Sequence, residues 1–157
     1  MIVDHRSGTY ALLFHCHRSF QAEVGKLGQI EVGSGYWIYV GSAFGPGGLL
    51  SRVARHLKPT IRPHWHVDYI KARLRPLEIW ATSDTVKREH VWARVLSEWR
   101  DASQPIAAFG ATDCTCRSHL IHRQQRPDFF SFKARLYRRI PTHGPLVRAL
   151  PTDVRDQ

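Results

Sequence analysis

The chain has 157 residues, 43% of them hydrophobic, which is the size and composition of one globular domain with a real core. No apolar run approaches the ~20 residues of a membrane span, and the N-terminal residues lack the pattern of a signal peptide, so we expect a soluble cytoplasmic protein with no membrane partner. The net charge of +10 favours a polyanion, nucleic acid first, because Lys and Arg side chains that neutralise phosphates release condensed counterions.

The N-terminal part of the chain predicts strands. Residues 8–16, GTYALLFHC, and residues 36–43, YWIYVGSA, have the composition of buried strands. Residues 22–35 between them are rich in glycine and predict one or two short strands with tight turns. FGPGG at 44–48 then breaks the chain, so this part forms a small antiparallel meander.

The remaining segments predict helices around one further strand. In chain order they are a helix at LLSRVARHLK (49–58), a short helix at HWHVDYIKAR (64–73), a strand at PLEIWATS (76–83) and a strong helix at TVKREHVWARVLSEW (85–99) with Ser83 or Asp84 as N-cap. We therefore predict an α/β (α+β) fold, with a small, mainly antiparallel three-stranded sheet flanked by helices. The domain spans residues 1–125, and residues 126–157 form a basic, partly irregular extension.

Basic residues are concentrated in one segment. Residues 50–75 contain seven Lys and Arg against the single acid Asp68. Arg55, Lys58 and Arg62 are our candidates for nucleic-acid contacts. The alternative is that this charge serves solubility alone.

Two helices carry polar residues beside an apolar face. In the helix at 49–58, Arg52 and His56 are four residues apart and point the same way, either as a solvated edge or as a pair that binds phosphate and moves a proton. In the helix at 85–99, Glu89 falls within the apolar arc of Trp92 and Leu96. A carboxylate there requires a partner, which is either an arginine or a cation.

Two polar clusters lie outside these helices. HWHVD contains His64, His66 and Asp68, and we expect His66 and Asp68 to support the edge of a site rather than merely to anchor a packing element. The second cluster lies in DCTCRSHLIH, and its candidate zinc ligands are Cys114, Cys116, His119 and His122. The alternative is that this loop is a wall of the same pocket, its thiols simply buried.

Six motifs in order connect these residues to a known family. They follow GTY (8–10) and are VGKLG (24–28), YVGSA (39–43), RHL (55–57), HWHVDYI (64–70), EH (89–90) and FGATDCTCRSHL (109–120). The chain resembles the GIY-YIG nuclease superfamily over about residues 7–122, and most closely a branch found as stand-alone proteins and as an extension on some endonuclease III homologues. The 28 residues between the two motifs, from 11 to 38, exceed the usual spacing, so this branch inserts a hairpin into a GIY-YIG-like fold.

The resemblance implies a role for each site residue. Tyr10 is the general base or orients the attacking water, with Tyr39 beside it, and His56 assists in moving the proton. Arg52 binds the scissile phosphate, and Glu89 holds one divalent metal, Mg²⁺ or Mn²⁺. Gly41 lets the backbone approach closely at the strand end. His90 replaces the cysteine that is usual in this branch, although adjacent helical residues diverge and need not cooperate with Glu89.

The sequence therefore predicts a metal-dependent endonuclease that hydrolyses DNA, in repair or in processing of branched DNA. One alternative is a nucleic-acid-binding module that keeps the scaffold without turnover. Another is a zinc-stapled interaction domain, for which Glu89 would be dispensable.

Overall fold

A computed structural model describes residues 3–111 and 116–155 of the chain. These residues form a five-stranded antiparallel sheet, here called the main sheet, and a separate two-stranded hairpin. The strands are β1 (Gly8–Cys16), β2 (Phe20–Glu23), β3 (Gln29–Val32), β4 (Gly35–Ala43), β5 (Arg75–Thr82), β6 (Leu120–Arg123) and β7 (Leu146–Ala149). The α-helices are α1 (Gly48–Leu57), α2 (Glu89–Ser97), α3 (Phe129–Arg139) and α4 (Pro151–Arg155). The strand order in the main sheet is β6-β4-β1-β5-β7.

Strand β1 is the central strand of the main sheet, and both of its faces are covered. Tyr10 and Leu12 pack with residues of α1 and α4, whereas Ala11 and Leu13 pack with Trp80 and with residues of α2 and α3. Successive side chains of a strand point to opposite faces, so a strand buried on both sides is apolar along its whole length. The result is a main sheet with helices on each side.

The predicted mixed fold with a mainly antiparallel sheet is confirmed, but the main sheet has five strands in the described residues rather than three. The extra strands are β6, which pairs with β4, and β7, which pairs with β5. Each has four residues, too few for a recognisable alternation of polar and apolar side chains. The predicted hairpin between the two motif strands is present as β2 and β3, joined through a 3₁₀ turn at Gly25–Leu27.

The first turn of α1 is held by the N-terminal segment. The backbone N–H groups of Leu49 and Leu50 donate to the carbonyl oxygens of Arg6 and Asp4, at 2.9 and 2.8 Å. These bonds satisfy donors that have no partner inside a helix. Gly48 has φ of +61°, and a side chain there would run into the backbone carbonyl groups of His5 and Arg6. Glycine at this position therefore allows the strand-to-helix connection that brings α1 against β1.

Two helix predictions need correction. Residues 64–73 form two 3₁₀ turns, His66–Tyr69 and Lys71–Arg73, instead of one α-helix. Helix α2 begins at Glu89 and ends at Ser97, and Asp84 is not its N-cap. The Asp84 carboxylate instead accepts hydrogen bonds from the N–H groups of Val86 and Gly144, which forms a local turn ahead of the helix.

The C-terminal segment is more regular than its composition predicts. The predicted boundary at residue 125 falls between β6 and α3, and the chain beyond it supplies α3, β7 and α4. The buried carboxylate of Glu78 on β5 is bound by Arg126, at 2.9 Å, and by Arg148 on β7. Some arginines of the basic tail therefore neutralise a buried charge instead of facing a partner. No helix in the described ranges is both long and apolar enough to cross a lipid bilayer.

Candidate active site

A cavity of about 360 Å³ brings together side chains from β1, β4, α1 and the start of α2. Among the residues predicted for the site, the lining contains Tyr10, Tyr39, Gly41, Arg52, His66, Glu89 and His119. His56 lies behind Tyr10, and Asp68 lies behind His56. Residues from well separated parts of the sequence thus meet in one place.

The two tyrosines lie on the same face of the main sheet. Tyr10 is directly opposite Gly41 and Leu12 is opposite Tyr39, so the tyrosines are diagonal neighbours on adjacent strands. Burial raises the pKa of Tyr10 well above its ordinary value, and the neighbouring Tyr39 adds to this, although Arg52 acts in the opposite direction. Burial likewise raises the pKa of Tyr39, with Asp68 and Glu89 contributing. Both phenols are therefore protonated at neutral pH.

Gly41 is needed because the ring of Tyr10 lies directly against it. A β-carbon at this position would be 2.6 Å from Cζ of Tyr10 and closer still to its hydroxyl oxygen. The close approach expected for Gly41 is therefore an approach to the Tyr10 side chain, which any larger residue would push out of the cavity.

A hydrogen bond of 2.7 Å joins the hydroxyl group of Tyr10 to Nε2 of His56. Burial lowers the pKa of His56 to about 3, against the attraction of Asp68, so its ring is neutral at pH 7. Because the phenol is protonated, it donates to Nε2, and the ring proton of His56 then resides on Nδ1. That nitrogen lies 3.9 Å from Oδ1 of Asp68. The three side chains thus form a row, in which the His56 imidazole lies between the Tyr10 phenol and the Asp68 carboxylate.

Asp68 is fully buried and held by several donors. Its Oδ2 accepts hydrogen bonds from the backbone N–H groups of His64 and Trp65, at 2.8 and 3.0 Å. Its Oδ1 lies 3.4 Å from Nζ of Lys71, which is itself nearly buried. Burial raises the pKa of Asp68, but these hydrogen bonds and the charge of Lys71 outweigh it and hold the pKa below its ordinary value. Asp68 is therefore ionised.

Two buried atoms of this group face each other without a hydrogen bond. In the part of the chain that the structure describes, Nδ1 of His56 and Oδ1 of Asp68 are the buried side-chain polar atoms that lack one. Buried polar atoms are nearly always satisfied, so an exception calls for a reason. A shift of about 1 Å would form the bond, and positive charge on the His56 ring would favour it.

The low pKa of His56 predicts how stability changes with pH. The ordinary pKa of histidine is about 6.5, so between this value and about 3 the unfolded chain binds more protons than the folded chain. The free energy of unfolding should therefore fall as pH is lowered through this interval, by up to about 1.4 kcal/mol per pH unit from His56. His66 and His143, whose pKa values burial also lowers, add to the same trend.

Urea unfolding over this pH interval tests the prediction. His56→Gln should flatten the slope, whereas His17→Gln, a change at an exposed histidine, should leave it as in the wild type. An unchanged slope in His56→Gln would show that His56 is not buried in its neutral form.

Arg52 and Trp65 form a cationic and aromatic wall of the cavity. The Arg52 guanidinium donates to the carbonyl oxygen of Ser42 at 2.9 Å and lies 4.4 Å from the centre of the Trp65 ring. Arg55 also lies over this ring, at 4.5 Å. The backbone contact and the ring fix the direction of Arg52 and leave further N–H groups available for an anion.

The other predicted nucleic-acid contacts lie outside this cavity. Lys58 and Arg62 are exposed and line a shallow groove beside α1, together with Arg55.

His66, predicted to support the edge of the site, accepts a hydrogen bond from the backbone N–H of Gly110 at 2.8 Å. This bond fixes the neutral ring with its proton on Nε2.

Glu89 is the first residue of α2, and its side chain is 19% exposed. A negative charge is favoured at the N-terminus of a helix, so its position is less costly than the sequence pattern predicts. No arginine pairs with it among the described residues. Two histidines lie near its carboxylate: Nδ1 of His119 is 4.0 Å from Oε2, and Nε2 of His90 is 3.9 Å from Oε1.

Of the predicted zinc ligands, Cys116 and His119 lie together, whereas His122 lies apart from them. Cys114 lies outside the described residues. Nε2 of His122 donates to the carbonyl oxygen of Ser34 at 2.7 Å, and His122 does not join the cluster. His90 instead lies beside Cys116 and His119, and the ligand atoms of these three residues lie within 4.8 Å of one another. Adjacent helical residues need not cooperate, but His90 and Glu89 both lie close to His119.

Lys87 and His64 also line the cavity. His64 belongs to the HWHVD cluster but is not one of the predicted site residues. Lys87 falls within the predicted helix at 85–99, but α2 begins only at Glu89, so helical periodicity could not indicate the direction of its side chain.

Comparison with protein families gives a match to the model described as "Domain of unknown function DUF123", over residues 9–141. The comparison with curated proteins finds no significant match, and neither does the comparison with solved structures.

Proposed function

The chain belongs to the DUF123 family, whose description assigns no function, and on that premise we propose that it is a metal-dependent endonuclease acting on DNA with a GIY-YIG type of active site. The observation that carries the proposal is the hydrogen bond from Tyr10 to His56, since Tyr10 lines the same cavity as Arg52 and Glu89. A module that only binds nucleic acid needs a basic surface but not this combination of groups.

The donor set of the cavity fits a hard divalent cation. Glu89 is the carboxylate that lines the cavity in the described part of the chain, and no arginine there neutralises it. Mg²⁺ and Mn²⁺ prefer oxygen ligands, and Mg²⁺ is commonly held by one or two carboxylates plus substrate phosphate and waters. When bound, such a cation offsets negative charge that develops on the phosphate.

Tyr10 and His56 supply a path for a proton. Tyr10 accepts a proton from the attacking water at its phenolic oxygen while it passes its own proton to Nε2 of His56, 2.7 Å away. The exchange avoids a free tyrosinate, which burial disfavours. His56 becomes positively charged, and Asp68, facing Nδ1, stabilises that charge.

Arg52 is placed to bind the scissile phosphate. Its guanidinium is permanently charged and held in direction by Ser42 and Trp65. A preorganised donor of this kind stabilises charge that increases in the transition state. Lys87, on the same cavity, adds a second positive charge.

The test is cleavage of single-stranded, duplex, flapped and four-way-junction DNA in the presence of Mg²⁺ or Mn²⁺. Wild-type protein should cut at least one of these substrates, and Glu89→Gln should abolish cutting while binding remains. Glu31→Gln, a change of the same kind at an exposed position on β3, is the matched control and should cut normally.

Two results would overturn the proposal. Binding without cleavage of any substrate by the wild type would favour the non-catalytic module. Equal cleavage by wild type and Glu89→Gln would mean that Glu89 holds no essential metal.

A further inference from the structure

A cluster of metal-binding side chains lies beside the cavity but outside the proton path. His90 belongs to the first turn of α2, and Cys116 and His119 precede β6. Nδ1 of His90 lies 3.2 Å from Sγ of Cys116, and the rings of His90 and His119 are 5.5 Å apart between centroids. Each residue has a ligand atom within 4.8 Å of those of the other two.

The chemistry of this cluster differs from that of Glu89 alone. A thiolate and two imidazoles are ligands for Zn²⁺, whereas Mg²⁺ takes oxygen. Bond lengths of about 2.0–2.3 Å place tetrahedral zinc ligands roughly 3.3–3.7 Å from one another. The present spacing therefore requires a closure of about 1 Å, which rotation of the His90 side chain, 53% exposed, can provide.

The backbone holds His119 in place for such a role. Its N–H donates to the carbonyl oxygen of Phe109 at 2.7 Å, and its own carbonyl oxygen accepts from the N–H of Val40 at 2.9 Å. The side chain is almost completely buried, so its ring has little freedom to turn. One ligand is thus preorganised, and the exposed His90 is free to close on it.

Glu89 lies beside the cluster but is not needed to complete it. Its Oε2 lies 4.0 Å from Nδ1 of His119, and its Oε1 lies 3.9 Å from Nε2 of His90, the ring nitrogen on the other side from Cys116. Three protein ligands and one water make a four-coordinate zinc site, which leaves the Glu89 carboxylate available to the cation proposed above. We infer that His90, Cys116 and His119 form a zinc site on the wall of the cavity.

This inference does not depend on the proposed nuclease activity, because metal binding is measured directly. Co²⁺ serves as the probe, since a cobalt ion bound by a thiolate absorbs through a sulfur-to-metal charge-transfer band. Untagged wild-type protein should bind one equivalent of Co²⁺ with this band, and Zn²⁺ should displace it. Cys116→Ser should remove the band, and His90→Ala should weaken Co²⁺ binding by more than about tenfold.

Two variants serve as matched controls. Cys16→Ser removes a buried thiol that contacts the carbonyl oxygen of Arg18, and His122→Ala removes the histidine that contacts Ser34. Both should bind Co²⁺ as the wild type does, and circular dichroism should show that every variant is folded. The inference is wrong if the wild type binds no stoichiometric metal, if the band survives in Cys116→Ser, or if His122→Ala loses binding while His90→Ala keeps it.

Discussion

Tyr10→Phe should lower the rate of DNA cleavage by about 10²–10⁴, the range typical for loss of a general acid or base. The variant keeps the ring that packs on Gly41 but loses the oxygen that would exchange protons with water and His56. DNA affinity should be unchanged, because the phenol lies deep in the cavity and carries no charge. Single-turnover cleavage, with binding measured separately, distinguishes the two effects.

The control for this prediction is Tyr36→Phe, at the opposite end of β4 from the cavity. Its cleavage rate should equal that of the wild type. Tyr10→Phe also leaves Nε2 of buried His56 without its donor, which costs about 1–3 kcal/mol of stability, so the assay belongs well below the unfolding transition. Wild-type cleavage by Tyr10→Phe would remove Tyr10 from the mechanism.

Asp68→Ala should lower the free energy of unfolding by about 3–5 kcal/mol, the usual cost of removing one partner of a buried ion pair. The change deprives the N–H groups of His64 and Trp65 of their acceptor. It also leaves the ammonium group of Lys71, nearly buried, without its carboxylate. Urea unfolding at neutral pH measures the loss.

The role of Lys71 in this cost can be separated. In the Asp68→Ala background, Lys71→Met removes the charge that has lost its partner, so the double variant should be more stable than the sum of the two single changes predicts. Asp68→Asn, which keeps an acceptor oxygen for the backbone, should cost less than Asp68→Ala. Strict additivity of the two changes would show that Asp68 and Lys71 do not stabilise each other.

Local spacing in the sequence explains which parts of the site were predictable. Arg52 and His56 are one helical turn apart, so their common direction follows from α1 alone. Tyr10 and Tyr39 depend on the pairing of two long apolar strands, which the composition of β1 and β4 also indicates. For these residues, local pattern and tertiary position agree.

Contacts between segments that are distant in the sequence could not be predicted from the periodicity of polar and apolar residues. The approach of Asp68 to His56 depends on two 3₁₀ turns that helical periodicity cannot represent. The placement of His90 next to Cys116 depends on where α2 starts, which the Thr9 side chain helps to determine by accepting from the N–H of Arg88. The edge strands β6 and β7 are too short for an alternation of polar and apolar residues to be recognised. Their positions depend on pairing with β4 and β5.

Strand β7 also determines how much of the chain is needed for a stable protein. The family match ends at residue 141, whereas β7 spans Leu146–Ala149. A recombinant fragment trimmed at the family boundary would leave the backbone of β5 uncovered, and an unprotected strand edge is prone to aggregation. It would also take Arg148 away from the buried Glu78. The residues that match the family are therefore fewer than those that complete the main sheet. A recombinant form of this protein should include β7.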